Sequence, residues 1–321
     1  MILKKGSFNV VSLGDLVLDV LIEGVALPVE INRHQRTGSV KVEPGGAGNF
    51  LITGSRLGLN TTPLAVIGDD LFGHQLVEIL NAEQINTNLL AIHEQEQTAI
   101  VFDLKDQHDR YVFLGSLATG QSVHWNSLWD DAIRTCDAVQ LWGYSLLEER
   151  MSDVVREGLA CAKRHGRPVF FDPGPLASQI KPTLLKQVLR QCAVLVLNQE
   201  EVPLITGENE PDSVKKFLME GVDTICVKRG GQGCIIYQLD SCVSHAGFQV
   251  EVVDSAGAGD SFNAGLMTGW LQGWSLDEMA VFSNAVGAAK VRKNGTGRQM
   301  PRLHEILALL SENQIELPVI E

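Results

Sequence analysis

Asp254-Ser255-Ala256-Gly257-Ala258-Gly259-Asp260 runs unbroken into Ser261-Phe262-Asn263-Ala264-Gly265-Leu266-Met267-Thr268-Gly269-Trp270. The first seven residues read as a turn of small side chains, and the next ten carry helical periodicity. Phe248–Val253, just before them, alternates and reads as a strand. A small-residue turn that opens a helix leaves backbone N–H groups unpaired, and with the helix dipole they make an anion site. Bulky side chains in place of Ala256, Gly257, Ala258 and Gly259 would block a phosphate. Asp260 falls in the first helical turn beside that anion. There the sequence predicts a carboxylate held as its ion and suited to accept a hydroxyl proton during phosphoryl transfer. A lone G-x-G-D turn reads equally well as a glycine turn with an acidic cap; the further acid at Asp254 and the strand–turn–helix context favour the anion site.

Outward from this turn, short β-branched runs alternate with longer amphipathic stretches. Strands are expected at Phe8–Leu13, Pro63–Ile67, Ala138–Trp142, Val169–Phe171, Val194–Leu197 and Thr224–Val227, with helices over Asn49–Leu57 and Phe72–Glu83. Strands spaced by helices need crossover connections, so the fold class is α/β: a doubly wound, mostly parallel sheet flanked by helices. Two stretches break the alternation, Asp15 to about Val42 and Thr98 to about Leu114. In the second, Ala99–Phe102, a polar turn at Lys105–Asp109 and Tyr111–Phe113 spell a hairpin. Such hairpins are expected to form a small antiparallel β-lid over the carboxyl ends of the strands, where sheets of this kind bind ligands. With no repeat, low-complexity tract or long linker, residues 1–321 read as a single domain whose lid strands come from about 15–42 and 98–114.

The chain carries 39 acidic and 26 basic side chains, a net charge of −13, and is 45% hydrophobic against 20% charged. Those proportions exclude a disordered or fibrous chain. An isoelectric point near 5.1 argues against nucleic acid or anionic membrane as partners, because the average surface repels polyanions, yet it leaves room for a local phosphate pocket. Apolar runs such as Ala193–Leu197 fall far short of the roughly 18–20 residues of a membrane span. Gly14 and Asp15 end the N-terminal apolar run before it reaches a signal-peptide core. The six cysteines form no C-x-x-C pair and read as free thiols, buried at Cys192, Cys226 and Cys234, in a reducing cytoplasm.

Three further patterns carry chemistry. Pro44-Gly45-Gly46-Ala47-Gly48-Asn49 lets backbone approach a ligand closely and offers the Asn49 amide to hydroxyls, although alone it reads better as an Asn-capped turn. Asn198-Gln199-Glu200-Glu201, at a strand end, presents the hard oxygens that hold Mg²⁺ through its waters; Asn-x-x-Glu also fits a helix cap. Val227-Lys228-Arg229-Gly230-Gly231-Gln232-Gly233 could set Lys228 or Arg229 against a polyphosphate, or could be a turn with solvated cations. Gly46-Ala47-Gly48-Asn49-Phe50-Leu51 fails the dinucleotide fingerprint, although Asp69 lies about 20 residues on, where that motif places an acid. The G-x-x-x-x-G-K-[ST] loop is absent, and the histidines show no metal spacing.

In this order, over nearly the whole chain, these elements resemble the ribokinase-like (PfkB-type) carbohydrate kinases, for which Asp-[ST]-x-Gly-Ala-Gly-Asp is highly specific. The resemblance implies a doubly wound domain with a β-lid and ATP-dependent phosphorylation of a hydroxymethyl group. It makes Asp260 the base and the backbone of Ala256, Gly257, Ala258 and Gly259 the anion hole. Asn198 and Glu201 become the Mg²⁺-organising pair, with Gly230, Gly231 and Gly233 beside the nucleotide and Asn284 near the adenine. Asp15, Asp19, Gly45, Gly46 and Asn49 fall to the sugar, Asp172 to the acid at a central strand end, and Asp254 to a monovalent cation such as K⁺.

Val17 and Ala47 stand where ribokinases proper tend to have Asn and Lys, which weakens ribose as the acceptor and tilts against a phosphorylated sugar. Ala256 replaces a hydroxyl residue common beside the cation site, which counts against K⁺ dependence. The reading is a cytoplasmic sugar kinase of the fructose, ribose or sugar-acid class, dimeric through exposed lid edges. The alternatives are a nucleoside kinase of the same fold, with Tyr111 and Phe113 as aromatic lid residues, and a catalytically silent sugar sensor. A nicotinamide oxidoreductase is disfavoured by the failed fingerprint.

Overall fold

In the computed structural model of the chain, residues 8–14, 16–108, 110–116 and 123–316 are described. The strands among them are β1 (Asn9–Leu13), β2 (Val17–Glu23), β3 (Val40–Gly45), β4 (Asn60–Leu64), β5 (Val66–Gly68), β6 (Ala91–His93), β7 (Ala99–Lys105), β8 (Tyr111–Gly115), β9 (Ala138–Trp142), β10 (Val169–Asp172), β11 (Val194–Asn198), β12 (Thr224–Lys228), β13 (Cys234–Gln238) and β14 (Ser241–His245). The α-helices are α1 (Ala47–Arg56), α2 (Leu71–Ala82), α3 (Ser127–Thr135), α4 (Glu149–Arg164), α5 (Pro182–Leu189), α6 (Val202–Thr206), α7 (Lys216–Met219), α8 (Ala258–Leu271), α9 (Leu276–Val291) and α10 (Leu303–Glu312).

The central sheet runs β14-β13-β12-β11-β10-β9-β1-β4. From β12 to β4 every pairing is parallel, and β13 and β14 add an antiparallel edge. Along β9, Ala138 and Trp142 enter the cluster shared with α1, α8 and α9, while Val139 and Leu141 enter the one shared with α3, α4 and α5. β11 divides the same way, Val194 and Val196 against Leu195 and Leu197. Burial on both faces is why β11 is apolar at successive positions instead of alternating, and why even the one polar residue of β9, Gln140, is buried.

The smaller sheet runs β3-β2-β7-β8. Its outer pairs are antiparallel, as the hairpin pattern of 99–113 anticipates, but β2 and β7 pair parallel, so the sheet is mixed. Two separate excursions, β2–β3 and β7–β8, meet through that parallel pair.

Two expected strands differ. The run Pro63–Ile67 divides: β4 ends at Leu64, and β5 leaves the central sheet to pair with β6. The Ala65 carbonyl between them accepts from the Ala91 amide at 2.9 Å, a change of partner that an unbroken apolar run conceals. Phe248–Val253 is not a strand. Phe248 and Val250 pack on the core, which accounts for the alternation, but no strand among the described residues pairs with this segment. The amides of Val253 and Asp254 instead donate to the Val291 carbonyl at the end of α9, at 2.7 and 3.1 Å.

α8 is buried from Ser261 through Gly269. Gly265 and Gly269 bring α9 against it: a Cβ at Gly265 would lie 3.0 Å from Val286, and one at Gly269 3.0 Å from Met279. No helix among the described residues is long and apolar enough to cross a membrane. The cysteines are all free, five of them buried and Cys242 exposed.

Candidate active site

β10, β11 and β12 end side by side on Asp172, Asn198 and Lys228, with Asn198 directly opposite Lys228 in the ladder. Lys228 Nζ donates to Asp172 Oδ2 at 2.8 Å and to Asn263 Oδ1 at 3.2 Å. Asn263 Nδ2 donates to the same carboxylate oxygen at 2.7 Å, and the Gly174 amide donates to Asp172 Oδ1 at 3.0 Å. Lys228 is buried, so it is not the solvated cation of the alternative reading. Burial alone would lower its pKa, but the charges of Asp172 and Glu201 outweigh that and raise it. Arg229, in contrast, donates to the Gln232 carbonyl in its own turn and to Ser244 Oγ on β14.

Glu201 accepts from the Asn198 amide at 2.7 Å and from Asn198 Nδ2 at 3.1 Å. The Asn-x-x-Glu pair is therefore a closed local loop, and Glu201 is 3% exposed. Burial and the Asp172 charge push the Glu201 pKa up to about 7, against Lys228 and the Asn198 bonds.

α8 points its N-terminus at this cluster. Gly257 caps it with φ 73°, a left-handed conformation, and a Cβ there would meet Met300 Cε at 2.8 Å and Asn49 Nδ2 at 3.1 Å. Two of the expected anion-hole amides are occupied: Ala256 N–H donates to Asp254 Oδ1 at 3.0 Å and Ala258 N–H to the Ser255 carbonyl at 3.2 Å. The amides of Gly257, Gly259 and Asp260 have no such partner among the described residues, as the first turn of a helix requires.

Asp260 lies in that turn, partly accessible in the cleft. Asn49 Nδ2 donates to its Oδ2 at 2.9 Å, while Asn49 Oδ1 accepts from the Gly297 amide at 2.8 Å. The expectation of a carboxylate stabilised as its ion is corrected here. The surrounding protein raises Asp260 to about 6, and Asp172 adds to the effect, against the Asn49 bond, Lys228 and Lys290. Loss of hydration outweighs the helix dipole.

At the base of the smaller sheet, a Cβ on Gly45 would lie 1.9 Å from Asp19 Oδ1, so the acid packs directly over the glycine. Gly46 caps α1 with φ 43°, and Asn49 follows in the first turn. Asp15 lies outside the described residues. Gly230, Gly231 and Gly233 form a turn between β12 and β13, open at Gly230 and Gly231, while a Cβ on Gly233 would strike the His245 carbonyl. Asn284 joins this end of the cleft, with Nδ2 3.0 Å from His245 Nδ1.

Asp254 does not fit the cation role. Its Oδ1 accepts from Tyr111 Oη at 2.8 Å and from Ala256 N–H, and its Oδ2 accepts from Gly295 N–H at 2.8 Å. Lys105 Nζ stands 3.8 Å from Oδ2, and Lys290 Nζ donates to the Asp254 carbonyl at 3.2 Å. Burial would raise the carboxyl, but these bonds and Lys290 hold it below the usual carboxylate range.

The sequence reading missed Asn263, Lys290 and Tyr111 as parts of this network. Asn263 was findable: three residues after Asp260, it shares a helix face with it. Lys290 and Tyr111 come from segments whose approach to Asp254 only folding decides.

Residues 7–303 match the pfkB family carbohydrate kinases. The chain is 27% identical to fructokinase-2 of Solanum habrochaites over 320 residues, 94% of this chain and 95% of that one. An E. coli structure with ATP and Mg²⁺ superposes with a TM-score of 0.81 at 24% identity, over 97% of this chain and all of that one. Arabidopsis thaliana ribokinase with ribose and ATP gives 0.80 at 21%, covering 94% and 98%. With the family match spanning nearly its whole length, the chain belongs to the pfkB family of carbohydrate kinases and is a phosphotransferase that acts on a sugar alcohol group.

Proposed function

We propose that the protein transfers the γ-phosphoryl group of ATP to a hydroxymethyl group of a small, unphosphorylated sugar of the fructose, ribose or sugar-acid class. One observation carries this reading: Asp260, near pKa 6, stands beside unpaired amides at the start of α8 and is aimed by Asn49. A base in that range is ionised at neutral pH and still basic enough to take a hydroxyl proton. As the sugar oxygen bonds to phosphorus, the bond from phosphorus to the β–γ bridging oxygen breaks and the proton passes to Asp260. The amides of Gly257, Gly259 and Asp260 face the developing charge. Lys228 adds to that field, since its Nζ would lie 3.5 Å from a Cβ on Gly259. Asn49 acts chiefly by orienting Asp260, with its second amide hydrogen left for a sugar hydroxyl.

ATP, which the E. coli structure holds with Mg²⁺, enters here as co-substrate over Gly230, Gly231 and Gly233 with the adenine towards Asn284. Asn198 and Glu201 supply an amide oxygen and a carboxylate crowded by the Asp172 charge, a hard-oxygen set that fits Mg²⁺ held through water. Bound there, Mg²⁺ supplies charge neutralisation at the phosphates. Asp19, Gly45 and Gly46 form the sugar end. The absence of a basic side chain at Ala47 and the engagement of Arg298 by Glu43, at 2.8–3.0 Å, favour an unphosphorylated acceptor.

The smaller sheet is read as a lid of one domain spanning 1–321. Phe102, Val112, Phe113 and Leu114 are exposed on it, which supports dimerisation lid to lid. Five buried free thiols fit a cytoplasmic enzyme.

An ADP-release screen over ketoses, aldoses, sugar acids and nucleosides tests the reading. Turnover confined to sugars is expected. A nucleoside preference would favour the second reading, for which the stacked Tyr111–Phe113 pair, 5.4 Å between centroids, is the supporting feature. ATP binding without turnover of any acceptor would overturn both.

A further inference from the structure

We propose that the ammonium of Lys290 is this protein's built-in monovalent cation, holding the Asp254 turn and the loop after α9 in register so that the phosphate-facing turn needs no K⁺. Lys290 lies in the last turn of α9 and is fully buried. Its Nζ donates to two main-chain carbonyls from different segments, Asp254 at 3.2 Å and Lys293 at 3.1 Å. The end of a helix, where carbonyls outnumber donors, is a site that attracts positive charge. A compact ammonium held by two main-chain carbonyls, in the field of the Asp254 charge, meets oxygens of the kind that a monovalent metal ion would take.

The Asp254 carboxylate already stands in the field of two ammoniums. Asp254 and Asp103 supply two carboxylates and Lys290 and Lys105 two ammoniums, while Lys293, close to Lys290, is paired with Glu305 at 3.0 Å. Burial lowers Lys290 to about 8, against the Asp254 charge. Asp103, buried on β7, is pushed up to about 7 by burial and by the Asp254 charge. A metal ion added at the Asp254 carboxylate would be opposed by both Lys105 and Lys290. Both oxygens of Asp254 already accept hydrogen bonds.

Through Lys290, three segments are fixed together: the turn leading to Gly257, the end of α9, and residues 293–297, whose Gly297 amide aims Asn49 at Asp260. Lys290 is thus a positioning residue. Its use for catalysis rests on the kinase reading, but cation binding and thermal stability do not.

The test compares wild type and Lys290→Ala in K⁺, Na⁺, ethylammonium and tetramethylammonium salts at equal ionic strength, reading kcat, sugar KM and, without substrates, the melting temperature. Wild type is expected to be indifferent to the cation in all three. Lys290→Ala should lose kcat by on the order of 10- to 100-fold, with sugar KM little changed. K⁺ or ethylammonium should restore kcat several-fold and raise the melting temperature, whereas tetramethylammonium should do neither. K⁺ activation or K⁺-dependent melting of the wild type would overturn the proposal. So would a folded Lys290→Ala of wild-type activity, or a loss that no cation restores. If the alanine variant does not fold, Lys290→Met is read by the same criteria, and the wild-type series still decides.

Discussion

Asn49→Ala removes the amide that donates to Asp260 Oδ2 at 2.9 Å. A hydrogen bond to a carboxylate favours the ion by roughly 1.5–3 kcal/mol, and each pH unit corresponds to about 1.36 kcal/mol. Because Asp260 remains partly accessible, water replaces part of what is lost, and the lower end of that range applies. The Asp260 pKa should therefore climb from about 6 to roughly 7. The base must be ionised to accept the sugar proton, so activity falls as pH drops through this pKa, and the variant should fail first. The ionised fraction then implies a loss in kcat/KM of roughly twofold at pH 7, approaching tenfold on the acid side of 6 and vanishing above pH 8. The assay is kcat/KM against pH, which reports groups of the free enzyme. Asn49 also accepts from Gly297, so some loss at every pH is expected, and only the moved acid limb tests the argument. An acid limb that stays near 6 in the variant would refute it.

Asp260→Asn should lower kcat by about 10²–10⁴-fold with ATP affinity nearly intact; stopped assays and nucleotide titration check both halves, and near-wild-type turnover removes Asp260 from the chemistry. Gly257→Val should abolish turnover, since a β-branched residue is poorly accommodated at φ 73° and its Cβ would press on Met300 and Asn49; a folded variant that still phosphorylates would contradict the assignment of the turn. Lys228→Met breaks a buried ion pair with Asp172 and should cost about 3–5 kcal/mol of stability, measured by urea unfolding; a loss below about 1 kcal/mol would mean that the pair behaves as a surface one.

Much of the architecture was legible because burial leaves a pattern. β11, and β12 over Ile225–Val227, are apolar at successive positions since helices cover both sides of the sheet, and a run of that kind reads the same before and after folding. The glycines of the α8 turn were legible for a related reason: only small residues suit a left-handed cap pressed against Met300 and Asn49. Phe248–Val253 misled because alternation reports which side chains face inward and says nothing of whether another strand is present to pair. Arg229 and Lys228 looked alike in sequence, yet one closes its own turn and the other lies under Asp172 and Asn263.

By itself the sequence determined the α/β alternation, the small-residue turn opening α8 and the acid in its first turn, since each depends on neighbours a few residues apart. Only the tertiary structure decided which way Asp260 titrates, which amides of the turn remain unpaired, and what stands against Asp254. Those properties arise from groups far apart in the chain, Asn49 against Asp260, Tyr111 and Lys290 against Asp254. Hydration and charge act through space, so no local spacing encodes them.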